Sequence, residues 1–297
     1  MQNVLTVRAR LGECPLWDDD RQLLYWVDIF NHRVHQFDPA TGRDRHFDVG
    51  NLVSAIALTS GDSLLVALSV GTPPTMTGEL SLLDTQSGTL KPLCQIEFPH
   101  PNTRLNDGKC DPQGRFWIGS NSETPGQAAL YRYDSDGSLQ MMETELTISN
   151  GLAWSPDGAT FYLTDSYQHK IYAYTFDGAS GGIGDRRVLI DLSNEAVEPD
   201  GLTIDQQGNL WSALWDGWCV VQFTPSGTEI QRVKLPVQRP TCPIFGGRDL
   251  THLYITSASV GLSQQEIQQG FYAGDLFCVT TQLPGLTSSR FKLGVQS

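Results

Sequence analysis

Apolar residues in this chain alternate with polar ones over short runs instead of recurring every three or four positions. ELSLLDT, ALYRYDS, KIYAYTF, CVVQFTP and DLFCVTT place apolar side chains at alternate positions, and RVHQFDP is a shorter run of the same kind. A period of two describes half-buried β-strands, and a turn follows most of these runs. The 29 glycines and 16 prolines are spread along the sequence, which multiplies turns between short strands and predicts an all-β fold.

The strands belong to a repeat. NGLAWSPDGATFYLTDS from Asn150, DGLTIDQQGNLWSALW from Asp200 and NDGKCDPQGRFWIGS from Asn106 share a frame: a polar residue, a short strand, a glycine turn, then an aromatic-rich strand. ECPLWDDDRQLLYWVDI from Glu13, SAIALTSGDSLLVALS from Ser54 and TCPIFGGRDLTHLYITSAS from Thr241 fit the same frame. The six anchors stand 41 to 52 residues apart, a spacing that suits four strands per unit. A four-stranded unit cannot bury both faces alone, whereas six arranged radially bury each sheet between two neighbours. The expectation is a single domain over 1–297, a six-bladed β-propeller with four antiparallel strands per blade. VLTVRARL at 4–11 is the natural edge partner for the last blade.

Charge narrows the partners. The chain has 33 acidic and 20 basic residues, a formal net charge of −13, which opposes attraction to nucleic acid or anionic lipid. No apolar stretch approaches the roughly 18 residues of a membrane span, and the N-terminus lacks a leader pattern. The reading is a cytoplasmic protein, a monomer or weak homo-oligomer, with its six cysteines as buried thiols and its histidines in loops or on the surface.

In a radial repeat the anchors form a ring at one mouth of the central channel: Glu13, Ser54, Asn106, Asn150, Asp200 and Thr241. Every member carries oxygen, while the positions four residues later (Trp17, Leu58, Cys110, Trp154, Ile204 and Phe245) are core-like. Asn-Gly and Asp-Gly pairs also form turns, but acids and amides converging on one point repel and lose hydration unless a cation sits between them. Hard oxygen donors suit calcium, magnesium or manganese, with zinc or iron(II) less natural. Trp215, Trp218 and Tyr167 follow second strands, where they either wall a pocket at this mouth or pack between blades.

With these motifs in order, the chain resembles the senescence marker protein (regucalcin)/gluconolactonase/luciferin-regenerating enzyme family along nearly its whole length. LGECPLW is similar to the family's Gly-Glu-Gly-Pro-x-Trp, with Cys14 in place of the second glycine. RLNDGKCDPQGRFWIGS is similar to its Arg-x-Asn-Asp-Gly-Lys segment, and SNGLAWSPD and EPDGLTIDQQGNLW to its later motifs. The resemblance implies hydrolysis of a small-molecule sugar lactone with one divalent metal ion on Glu13, Asn150 and Asp200. It implies that Asp200 also accepts and donates the proton, and that Arg104, Asn106 and, by approximate match, Glu123 contact the sugar. Two other readings remain open: a non-catalytic propeller that binds calcium or a protein partner, and an esterase or phosphotriesterase on the same metal site.

Overall fold

The computed structural model describes residues 1–294, so the last three residues of the expected 1–297 domain lie outside the described residues. Each anchor lies in an innermost strand: Gly12–Asp18, Leu52–Leu58, Thr103–Cys110, Ser149–Trp154, Glu198–Ile204 and Pro240–Gly246. Three further antiparallel strands pair outward from each, giving six four-stranded sheets. Innermost strands of successive sheets pack side by side and close the ring of a six-bladed β-propeller. We number the blades from 1 to 6 in the order of these innermost strands.

Ring closure mixes both ends of the chain. Blade 6 takes Pro240–Gly246, His252–Ser257 and Leu276–Thr280 from the C-terminal part, and its outer strand is Gln2–Leu5. The edge partner is therefore shorter and earlier than the 4–11 segment expected. Beyond Leu5 the backbone N–H groups a ladder would need go to carboxylates instead: those of Val7 and Arg8 to Asp275 at 3.0 and 3.1 Å, those of Arg10 and Leu11 to Asp28 at 3.1 Å. Arg8 also sits at φ 52°, outside strand geometry.

Burial follows the alternation. Trp17, Trp26, Trp117, Phe161 and Phe245 are buried between blades, each contributing roughly 1.5–3 kcal/mol relative to exposure. The six core-like positions after the anchors are all buried. Four cysteines are buried, Cys94 and Cys278 are half-buried, and all six are free thiols. His35 departs from the expected surface placement: it is buried, stacked 3.9 Å from Trp26, with Nδ1 2.8 Å from Asp44. It lies in a buried stretch of the strand Arg33–Asp38, where Trp26 stacks on the ring and Asp44 partners Nδ1, while Nε2 is buried without a partner.

Two devices shape the channel. The first is a break in register at the same place in all six innermost strands: after Glu13, Val53, Leu105, Asn150, Pro199 and Pro240. Such bulges re-aim a side chain, and here they fall at the ring residues. Gly151, at φ +32°, shows the crowding this produces, because a Cβ there would lie 2.4 Å from Thr164 Oγ1 and 2.5 Å from Asp200 O. The second device lies at the opposite end of the same strands. Asp111 accepts N–H groups of Gln113 and Arg115 at 2.9 and 3.0 Å and the Trp117 indole at 3.1 Å, fixing the turn into the next strand. Asp205 does the same for Gln207, Asn209 and Trp211.

The far mouth is closed by the C-terminal segment. Gly285 bridges to Asp205 of blade 5 and donates to Leu250 O of blade 6; Arg290 pairs with Asp18 of blade 1 at 2.8 Å. Phe291 bridges to Thr59 of blade 2, and Lys292 N–H reaches Gly114 O of blade 3 at 3.0 Å. This strap touches five blades and leaves a cavity of about 100 Å³ above it, lined in part by Cys14, Lys109, Cys110 and Ser288. Among the described residues, no helix is long and apolar enough to cross a membrane.

Candidate functional site

The near mouth opens into a cavity of about 220 Å³ whose wall includes Glu13, Asn150, Asp200, Arg104 and Asn106. Four blades therefore contribute: Glu13 from blade 1, Arg104 and Asn106 from blade 3, Asn150 from blade 4 and Asp200 from blade 5. Apolar side chains, among them Phe30, Ile148, Trp215 and Val260, complete the enclosure.

The six ring positions are not chemically equivalent once their hydrogen bonds are traced. Ser54 commits its hydroxyl to Leu105 O of blade 3 at 2.7 Å, and Thr241 commits its own to Gly12 O of blade 1 at 2.6 Å. Asn106 donates its amide to Ser149 O at 3.0 Å and accepts from Arg104 Nη1 at 2.8 Å. These three tie neighbouring blades together. Asn150 donates through Nδ2 to Ser166 Oγ at 3.1 Å and to Asp200 Oδ1, while its own Oδ1 is buried with no hydrogen-bond partner.

That leaves Glu13, Asn150 and Asp200 with oxygens facing one space. Glu13 and Asp200 are 8% and 4% exposed, and neither forms a salt bridge among the described residues. Burial pushes the Glu13 carboxyl well above the usual range, with repulsion from Asp200 and Asp107 adding to it. Burial does the same to Asp200, reinforced by Asp107 and Glu198. Two buried acids and an orphaned amide oxygen are a poor arrangement for a site without a counter-charge and a good one for a hard divalent cation. Among the described residues no group of three His, Cys, Asp or Glu is placed to hold a metal ion; this set has two carboxylates, with an amide as the third donor. Burial pulls the Arg104 guanidinium down to about 10, still charged at neutral pH, while Glu13 and Asp200 pull it back up.

Glu123 is not brought to the cavity: it is exposed after the strand Phe116–Ser122, and its N–H bonds to Asn102 O at 3.3 Å. Tyr167 is likewise exposed and Trp218 half-buried, whereas Trp215 lines the cavity. Four polar residues on or beside the site were not singled out from the sequence. Asn121, Ser166 and Glu198 line the cavity, and Asp107 is buried beside Asn106 with Oδ2 unpartnered. Asp107 was legible as the acid next to a ring position; Asn121, Ser166 and Glu198 lie off the ring and carried no signal.

Comparison with known proteins agrees with this architecture. Residues 11–259 match the SMP-30/Gluconolactonase/LRE-like region. The chain is 36% identical to regucalcin of Gallus gallus over 281 residues, covering 92% of this chain and 91% of that protein. It is 34% identical to the 6-deoxy-6-sulfogluconolactonase of Pseudomonas putida, covering 95% and 94%. Among solved structures, a calcium-binding regucalcin from Agrobacterium tumefaciens superposes with a TM-score of 0.90 at 27% identity, over 98% of this chain and 96% of that one. The family match spans Glu13, Arg104, Asn106, Asn150 and Asp200, and the chain is a member of the SMP-30/gluconolactonase/LRE-like family.

Proposed function

We propose that this protein hydrolyses a sugar lactone to the corresponding aldonic acid, as a single cytoplasmic domain holding one divalent metal ion on Glu13, Asn150 and Asp200. The observation that carries this reading is the buried, unpartnered Asn150 Oδ1 beside two buried carboxylates in a cavity of substrate size. Relatives named as lactonases supply the reaction class, and six free thiols suit a reducing compartment.

When bound there, a divalent cation supplies Lewis acidity, polarising the lactone carbonyl and stabilising negative charge on its oxygen. In this reading Asp200 takes the proton of the attacking water and returns one to the ring oxygen as the acyl–oxygen bond breaks. Asn150 Nδ2, bonded to Asp200 Oδ1, orients that carboxylate for both transfers. Arg104 is held by Asn106 Oδ1 and Leu105 O through a single nitrogen, which leaves the rest of its donor fork for sugar hydroxyls. Apolar walls limit competing solvent and strengthen the polar contacts within.

The test is acid release from D-glucono-1,5-lactone and other aldonolactones after chelation and reloading with calcium, magnesium, manganese, zinc or iron(II). Rates should depend on the metal, and Asp200→Asn should lower kcat/KM at least about a hundredfold, the range for losing a general base. Arg104→Ala should raise KM for sugar lactones and spare small aryl esters. No metal-dependent rate on any aldonolactone would favour a binding module, and equal losses on both substrate types would favour a general esterase.

A further inference from the structure

Resting on the lactonase reading, we propose that Glu198 and Trp215 form a sugar-recognition wall that selects uncharged polyhydroxylated lactones over anionic ones. The two residues face each other across the first strand pair of blade 5, and both line the cavity. Glu198 heads the strand that carries Asp200, so this wall stands next to the reacting centre.

Glu198 has no hydrogen-bonding or ion-pair partner for its carboxylate among the described residues, although it is only part-exposed. The basic groups around it are committed elsewhere: His169 Nδ1 lies 2.7 Å from Val197 O, and Arg239 donates Nε to Asp216 Oδ1 at 2.6 Å and Nη1 to Val260 O. The same guanidinium lies 4.7 Å from the Trp215 ring centroid and braces the indole. A free carboxylate beside a fixed aromatic face is the combination that grips a sugar, because hydroxyls donate to the acid while C–H faces pack on the ring.

Charge supplies the selectivity. The cavity is lined by three acids, Glu13, Glu198 and Asp200, against one base, Arg104. A divalent cation brings that sum to zero and leaves no unmatched positive charge for a carboxylate, sulfonate or phosphate on the substrate. Such a group placed near Glu198 meets like charge instead, which is how an interface rejects a wrong partner.

The experiment compares the metal-loaded protein with Glu198→Gln, which keeps shape and removes charge. Substrates are D-glucono-1,5-lactone, the anionic D-glucaro-1,4-lactone and δ-valerolactone, which has no hydroxyls. We expect Glu198→Gln to raise KM for gluconolactone about tenfold, the effect of one charge-assisted hydrogen bond, with kcat changed less than about threefold. The gluconolactone-to-glucarolactone ratio of kcat/KM should fall at least about tenfold, and δ-valerolactone should be unaffected. Binding of unreactive 1,5-anhydro-D-glucitol, followed by calorimetry, should weaken about tenfold in Glu198→Gln and comparably in Trp215→Leu. An unchanged substrate ratio and unchanged anhydroglucitol affinity in Glu198→Gln would overturn the wall. If the wild type opens no lactone yet binds anhydroglucitol through Glu198, the wall stands and the lactonase reading falls; if it neither reacts nor binds, both fall.

Discussion

Cys14 follows Glu13 at a position where the family motif carries glycine, and it adopts φ 44°, a left-handed conformation that a Cβ disfavours. The thiol compensates by packing: Cys14 Sγ lies 3.3 Å from Ile56 N and 3.6 Å from Gly108 O, linking blades 1, 2 and 3 behind the site. Cys14→Ala keeps the strained backbone and loses those contacts, which should cost about 1–2 kcal/mol. Cys14→Gly loses the same contacts but sheds the strain, about 1 kcal/mol, so its urea midpoint should exceed that of Cys14→Ala. The reverse order would mean that φ 44° is relaxed here. The left-handed backbone itself was not legible from the sequence, whereas the exceptional residue type was. Glu13, Asn150 and Asp200 could be read because each occupies the same register of its repeat. Glu198 could not, since nothing but the folded cavity shows that its carboxylate lacks a partner.

Among the elements, the innermost strands were the legible ones: buried on both faces and bounded by glycine turns, they leave an apolar signature. Outer strands such as Arg43–Asp48, with mostly exposed side chains, leave little pattern and were implied by spacing alone. The strap over 285–292 was not foreseen, because it pairs through isolated bridges and so shows no alternation. Its anchor can be tested by pH. Burial alone pushes the Asp18 carboxyl up, but hydrogen bonds from Arg21 and Arg290 at 3.0 and 2.8 Å outweigh this and hold it below the ordinary range. A depressed carboxyl contributes stability above its unfolded value, about 3.9, and loses that contribution as pH falls through the lower folded value. Asp18→Asn should therefore melt below wild type at pH 7, and the gap should close as pH falls beneath about 4. A gap undiminished at low pH would assign the effect to packing. Limited proteolysis after Arg290 at neutral pH should be faster in the variant.

At the scale of the whole molecule, six blades position a few side chains by burying most of what surrounds them, and the site is where that design costs stability. A net charge of −13 acts against compaction everywhere, but the concentrated cost lies in Glu13, Asp107 and Asp200, all buried within one channel. Function and stability should consequently part company at Glu13. In the chelated protein, Glu13→Gln removes one buried like charge while leaving an oxygen to accept the Cys14 N–H that now bonds Glu13 Oε2 at 3.2 Å, so the variant should melt above wild type. Adding a divalent ion should reverse the order. An ion that binds only the folded state at a hundred times its dissociation constant stabilises by about 2.7 kcal/mol, which for a chain of this size shifts the melting temperature upward by about 5 °C. Wild type should show that shift and Glu13→Gln should lose it. Calorimetric melts of both proteins, chelated and then titrated with calcium, manganese or zinc, make the comparison without reference to activity. A wild type insensitive to every ion, or a variant that responds equally, would show that the buried acids are neutral and self-sufficient, with no resident cation holding the mouth of the channel.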